Sequence, residues 1–319
     1  MVYWAQSYQD LIARVDTGNN NVTELLDWDW PYLHDAVGIA VDPIGGKIYW
    51  AQSFENKILR ADVNGANPET LLQGSPVTDP TAIAVDPVGR KIYWAQSYGN
   101  SILRADLNGH NVEALLQYPD LQAPPIALAL DPMRGKMYWV ETAGVGAYDD
   151  RMLRADLTGA NMEVLLQYLD GLKGPVAVAV DSVAGKVYWA QTLGVGSLDA
   201  KILRANVTGA LNVETVLLYP QLLDPVALAV DPIARHIYWA QTSGAGTYSD
   251  KLRRAAFTGG DTVETLLHWP QLEGPVGIAF AQSPEPIPMV STWGMVITAL
   301  LVLTAGSLVL LPRRPVLIG

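Results

Sequence analysis

The stretch Lys47-Ile48-Tyr49-Trp50-Ala51-Gln52 returns along the chain and constrains the fold more than any other feature. Tyr-Trp pairs stand at Tyr3-Trp4, Tyr49-Trp50, Tyr93-Trp94, Tyr138-Trp139, Tyr188-Trp189 and Tyr238-Trp239, with successive spacings of 46, 44, 45, 50 and 50 residues. Every pair continues as Ala-Gln except Tyr138-Trp139, which continues as Val140-Glu141. Each pair lies among four short apolar runs, rich in β-branched and aromatic residues and separated by turn residues. A period of this length with strand-like content specifies an all-β chain folded as a β-propeller of four-stranded antiparallel blades.

A full unit runs through Gly38–Asp42, Lys47–Gln52, Lys57–Asp62 and Glu69–Gln73. In its second strand Ile48 and Trp50 point to one face, Tyr49 and Ala51 to the other. Both faces are apolar, so the sheet must be covered on both sides, as in radially stacked blades. The first strand recurs with a small central residue (Ala40, Ala84, Ala129, Ala179, Ala229, Ala279), suited to crowding near an axis. The third recurs through Arg14, Arg60, Arg104, Arg154, Arg204 and Arg254, the fourth through Glu24, Glu69, Glu113, Glu163, Glu214 and Glu264.

The two ends complement each other. The first Tyr-Trp unit has no first strand before it, and the last first strand, Gly277–Ala281, has no Tyr-Trp after it. Bringing them together makes a sixth blade and removes the free edges of an open array. The expected architecture is a six-bladed propeller over residues 1–282, closed by its C-terminal strand.

Beyond it, Pro284, Pro286 and Pro288 make residues 283–289 a stiff linker. Trp293 to Leu311 carries no charge and is mostly apolar, and Arg313-Arg314 follow. At about 1.5 Å per residue this length matches a hydrocarbon core, so residues 290–312 read as a transmembrane helix. Residues 313–319 read as a short basic tail on the cytoplasmic side, with the propeller outside. No export signal precedes Tyr3, so an upstream segment is expected.

The net charge of −11 and the pI of about 4.7 disfavour nucleic acid as a partner. A basic ligand is the more natural fit. With no Cys there is no disulfide framework and no thiolate chemistry.

The repeat resembles the YWTD, or low-density-lipoprotein-receptor class B, repeat. That family's Gly-Leu-Ala-Val-Asp-like strand, Lys-Leu-Tyr-Trp-Thr-Asp strand, Ile-x-Arg-Ala strand and Asp/Asn-Gly turn correspond to Gly38–Asp42, Lys47–Gln52, Ile58–Asp62 and Asn64-Gly65. The resemblance covers nearly all of residues 2–282. It implies a six-bladed propeller used for protein recognition, often in cell-surface receptors of secreted ligands. Ala-Gln stands where the family has Thr-Asp, so that carboxylate's hydrogen bonds must be made by another group. In the tail, Ile287-Pro288-Met289-Val290-Ser291-Thr292-Trp293-Gly294 resembles a bacterial C-terminal sorting signal, which implies processing at a cell envelope.

The carboxylates Asp42, Asp86, Asp131, Asp181 and Asp231 end five inner strands. They could ring a cation such as Ca²⁺ at one channel mouth. The competing reading, which fits a feature repeated in nearly every unit, is that each caps its own turn. No resident cofactor or metal is expected. Departures from the repeat mark the candidate ligand site. These are Glu141, His34, and the aromatic pair Trp28 and Trp30 in the long connection before Val37. The loops Thr142–Asp150, Thr192–Ala200 and Thr242–Asp250 are also longer than their counterparts, and they bring Asp149, Asp150, Asp199 and Asp250. Connections between blades add Tyr118, Tyr168, Tyr219 and Trp269. In an antiparallel blade these loops share one end, so that end reads as aromatic and acidic. It suits a secreted or surface protein or peptide with basic groups, or a glycan stacked on rings. The alternative is a propeller enzyme of lactonase, lyase or hydrolase type with a metal over the channel. The chain has four His (His34, His110, His236 and His268), and none forms a metal-spaced pair.

Overall fold

The structure is a computed structural model of the chain. It describes residues 1–281 except 8–9, 28–32, 143–148, 194–197, 209–210, 243–249, 260–261 and 269. The linker, transmembrane helix and tail expected from residue 283 onward lie outside the described residues. Among those described, no helix is long and apolar enough to cross a membrane.

Six four-stranded antiparallel sheets are present, their strands labelled a to d from inside to outside, and in five of them that order is the chain order. Blade 1 comprises Ala36–Asp42, Lys47–Gln52, Lys57–Asp62 and Glu69–Gln73. Blade 2 runs from Pro80–Asp86 to Glu113–Leu116, blade 3 from Pro125–Asp131 to Glu163–Gln167, blade 4 from Pro175–Asp181 to Glu214–Leu218, and blade 5 from Pro225–Asp231 to Val263–His268. Blade 6 joins the two ends of the propeller. Pro275–Phe280 is its strand a, and Val2–Gln6, Leu11–Val15 and Val22–Leu26 are its b to d. In that seam Tyr3 pairs with Ala279 and Trp4 with Ile278, and the Ala281 N–H donates to the Met1 carbonyl at 3.1 Å.

The Tyr-Trp pair is the unit of blade stacking. In each blade the Trp side chain faces the preceding blade and the Tyr faces the following one. One cluster joins Tyr49 and Ala51 to Ile92 and Trp94, and the same arrangement at the seam joins Tyr238 and Ala240 to Trp4. All six Trp side chains are at most 1 % exposed. Burying each such ring contributes about 1.5–3 kcal/mol, the main force holding blade to blade.

Polar latches repeat in the same register. Arg60 Nη1 donates to the Leu107 carbonyl of the next blade at 2.7 Å, and Arg104 to Leu157 at 2.7 Å. Arg154 donates likewise to Val207, Arg204 to Phe257 at 2.6 Å, and Arg14 to Val63 at 3.1 Å. Within the blade, Arg60 Nε holds Glu69 at 2.7 Å, a pairing repeated at Arg104–Glu113, Arg154–Glu163, Arg204–Glu214 and Arg254–Glu264. Blade 6 departs from the expected pattern. Arg14 lies opposite Thr23, and Glu24 falls opposite Ala13, one position along the strand from the Glu of the other blades.

The channel is lined mainly by aliphatic side chains. All six a strands line it, with Val37, Thr81, Ile126, Val176, Val226 and Val276 contributing along one ring of positions, and the open volume is about 90 Å³.

Candidate functional site

Alternation of strand direction sorts the loops into two ends. The a–b and c–d turns share one end, the b–c loops and blade-to-blade connections the other. The carboxylates at the first end follow the turn-capping reading. Asp42 Oδ1 accepts from the Ile44 and Gly45 N–H groups at 3.0 and 2.8 Å. Asp86, Asp181 and Asp231 do the same for their own turns. Asp131 instead holds Arg134, through its backbone at 3.2 Å and its guanidinium at 3.0 Å. These five side chains are buried, and among the described residues no group of three His, Asp or Glu could hold a metal ion.

At the loop end, the Gln that follows the Tyr-Trp-Ala run bonds to its own Trp in blades 2, 4 and 6. Gln6 Oε1 accepts from Trp4 Nε1 at 2.9 Å and from the Glu273 N–H at 3.2 Å. Gln96 binds Trp94 Nε1 at 3.3 Å and the Thr78 N–H at 3.1 Å. In blades 2, 4 and 6 this side chain thus ties the Trp ring to the connection entering its own blade. Glu141, expected as a ligand contact, occupies this position in blade 3 and is fully buried. It accepts from Trp139 Nε1 at 2.9 Å, from the Gln122 and Ala123 N–H groups, and from the Arg151 guanidinium. Its carboxylate is enclosed by the fold and does not reach the surface.

A second latch stands just before strand c. Asp10 Oδ1 accepts from the Asp35 N–H at 2.9 Å and Asn56 Oδ1 from the Asp79 N–H at 2.6 Å. Asp150 and Asp250 accept from Gly174 and Gly274 at 2.7 and 2.6 Å. The last two were expected on the ligand face. They are 1 % and 3 % exposed, and their role is to fix the entry into the next blade. The donating turn has left-handed backbone, with φ of 49° at Asp35, 48° at Asp79 and 53° at Gly174. Asp79 also accepts from the hydroxyls of Ser53 and Ser97, and Asp224 is 5 % exposed.

The remaining expected residues are more open. His34 is exposed, with Nδ1 3.6 Å from Asp10 Oδ2. Tyr118 is 68 % and Tyr219 40 % exposed, and Asp149 is exposed. Tyr168 begins a short 3-10 turn, half-buried, with Lys173 Nζ 5.5 Å from its ring centre. Asp199 is half-buried and accepts from the Leu193 N–H at 3.3 Å, closing its own loop. Trp28, Trp30 and Trp269 lie outside the described residues, as does most of each long loop.

Two aromatic side chains at this end escape a reading based on connections and long loops. Phe54 is 86 % and Tyr98 75 % exposed, each at the tip of a short b–c loop. The signal was an aromatic two residues past the Gln, at Phe54, Tyr98 and, outside the described residues, Tyr8. The end is also less acidic than expected. Asp150, Asp224 and Asp250 are buried and Asp79 is half-buried, while Lys57, Arg151, Lys201 and Lys251 open their c strands there. Arg253 is anomalous, because Leu stands at its position in blades 1 to 4. It sits 5.7 Å from the Trp239 ring centre and donates to the Gln221 carbonyl at 2.6 Å. Burial lowers its pKa.

Strand order, closure and blade stacking define a six-bladed β-propeller. The family model described as low-density lipoprotein receptor repeat class B matches residues 46–87, and a Tyr-Trp pair stands in strand b of every blade. No curated protein sequence matches the chain. Among solved structures, a chain of the nidogen/laminin complex is similar, at 20 % identity and a TM-score of 0.71, over 88 % of this chain and 98 % of that one. TolB from Acinetobacter baumannii aligns at 14 % identity and a TM-score of 0.65, over 88 % of this chain and 66 % of its own. A putative TolB from Agrobacterium tumefaciens aligns at 14 % identity and 0.63, over 86 % and 89 %.

Proposed function

We propose that the propeller is a non-enzymatic recognition module that binds a protein or peptide at its loop end, displayed outside a membrane by residues 290–312. The observation that carries this reading is the set of exposed rings Phe54, Tyr98 and Tyr118 at one end, where folding leaves them uncovered. Aromatic side chains supply large contact area at low entropic cost, and an interface centre is enriched in them. The class B repeat and the fold shared with a chain of a nidogen/laminin complex support a protein partner. The acids that stay exposed, Asp120, Asp149 and Asp170, favour basic groups at the rim of that partner.

The test uses the full chain as bait against surface and secreted proteins, beside a Phe54→Ala, Tyr98→Ala, Tyr118→Ala variant. All three side chains point into solvent, so melting should not change. The reading expects a partner captured by the wild type and lost with the variant. Capture that survives all three changes would overturn the loop end as the binding surface.

A further inference from the structure

The end opposite the loops carries a feature that recognition at the loops does not use. The a–b turn of each of blades 1 to 5 projects one aliphatic side chain from the same turn position: Ile44, Val88, Met133, Val183 and Ile233. They are 70, 75, 73, 65 and 68 % exposed. Single exposed apolar residues are ordinary, but five at equivalent positions around one channel mouth form a ring of apolar tips. Every Asp in these turns is buried in its cap, so the exposed charges there are Arg90, Arg134 and Arg235. On a chain of net charge −11, the a–b turns therefore present aliphatic and basic groups to solvent, while the acids of the same end are paired within their blades, Asp62 with Lys47, Asp106 with Lys91, Asp156 with Lys136 and Glu69 with Arg60.

The path of the chain points the same way. Pro275–Phe280 is an a strand, and all a strands run from the loop end to the turn end. The propeller's last described residue, Ala281, thus emerges among the aliphatic tips, where blade 6 has a chain break instead of an a–b turn. Eleven residues, 282–292, separate it from the uncharged segment that starts at Trp293. Fully extended, that tether spans at most about 40 Å, comparable with the width of a domain.

We infer that the turn end docks on the bilayer, with Ile44, Val88, Met133, Val183 and Ile233 entering the interfacial region and the arginines meeting anionic headgroups. Aliphatic groups flanked by basic ones suit that boundary, since Arg keeps its head in the polar layer while its stem lies on apolar surface. The loop end then faces away from the membrane, where a partner can reach it. The inference rests on the reading that residues 290–312 enter a bilayer.

The chain has no Cys, so single labels can be placed without removing any native thiol. Ile44→Cys, Ile233→Cys, Leu169→Cys and Thr304→Cys, each carrying an environment-sensitive fluorophore, are reconstituted as full chains. The vesicles are of phosphatidylcholine and phosphatidylglycerol, with and without lipid-borne quenchers. Docking expects a blue-shifted emission and loss of intensity to the quenchers at positions 44 and 233, and neither at 169, on the loop end. Quenching at 304 alone overturns docking and leaves the anchor reading standing. No quenching at 304 overturns both. A blue shift at 44 and 233 that the lipid quenchers do not touch marks a protein surface, such as a second copy of the chain, and also overturns docking.

Discussion

Arg254 Nη1 donates to the carbonyl oxygen of Thr17 at 2.8 Å across 237 residues of chain, and this contact completes a ring of identical latches running blade to blade. The partner of the fifth blade is a turn near the N-terminus. Ring closure therefore needs the seam strand and this guanidinium together. The Trp4 ring packs against Tyr238 at the same interface, and Phe280 stacks on Tyr238 at 5.6 Å.

Replacing Arg254 by Ala removes a charged hydrogen bond and leaves the half-buried Thr17 carbonyl to water. The expected cost is about 2 kcal/mol. Glu264→Ala, which deletes only the half-exposed partner of the same guanidinium, should cost about 0.5 kcal/mol. Urea unfolding of the two variants checks the order. Equal losses would show that the ion pair, and not the latch to Thr17, does the holding.

Gly277 and Gly38 meet where blade 6 packs against blade 1. A Cβ on Gly277 would lie 3.1 Å from Gly38 Cα and 3.2 Å from the Ile39 nitrogen, both backbone. A Cβ on Gly38 meets nothing closer than 3.5 Å. Gly277→Ala should therefore destabilise by about 1–3 kcal/mol through overpacking at the seam, and Gly38→Ala by much less. Thermal melting of the pair reads the difference.

The blades were legible in the sequence because a repeat states the same physics six times. Tyr49 and Trp50 on opposite faces required cover on both sides, and the unmatched ends dictated the seam. The Asp42-type caps were legible for the same reason, since acceptor and donors lie within three residues. The site was less legible because exposure of a loop carboxylate depends on donors far along the chain. Asp150 is hidden by Gly174 and Glu141 by Arg151 and the 122–123 backbone, partners that no local pattern marks. Phe54 and Tyr98 went unnoticed because they sit beside the repeated motif and not in a departure from it.

Glu141 and Arg151 test what the blade 3 variation does. Glu141→Gln restores the residue of the other five blades and keeps an acceptor for Trp139 Nε1. It removes the charge facing Arg151, whose side chain is 14 % exposed. A loss of about 1–2 kcal/mol is expected. Arg151→Ala leaves a fully buried carboxylate without its cation and should cost about 3–5 kcal/mol. Partner capture at the loop end should be unchanged in any variant that still folds, since neither group reaches the ligand surface. Denaturant titration together with capture by the folded variants separates the structural role from a binding one.

Stability should also fall at both extremes of pH, for different groups. The carboxyls of Asp62, Asp106 and Asp156 are held below the usual range by hydrogen bonds from Lys47, Lys91 and Lys136. A depressed folded pKa contributes stability above the unfolded value, and that contribution disappears as pH falls through the folded one. These pairs lie at the surface, so the acid effect is small, and Lys47→Met, Lys91→Met and Lys136→Met together should flatten it. The hydroxyls of Tyr49, Tyr93, Tyr138, Tyr188 and Tyr238 are raised above the ordinary tyrosine value, chiefly by burial. A raised folded pKa contributes stability below the unfolded value, lost as pH climbs through the folded one. The propeller should therefore weaken from about pH 10 upward. Five tyrosines share one blade-stacking role, so their ionisation should coincide with unfolding. Tyrosinate absorbance and circular dichroism followed in one alkaline titration should change together. Tyrosinate appearing for all 14 tyrosines near pH 10, with the fold intact, would contradict the burial of these rings.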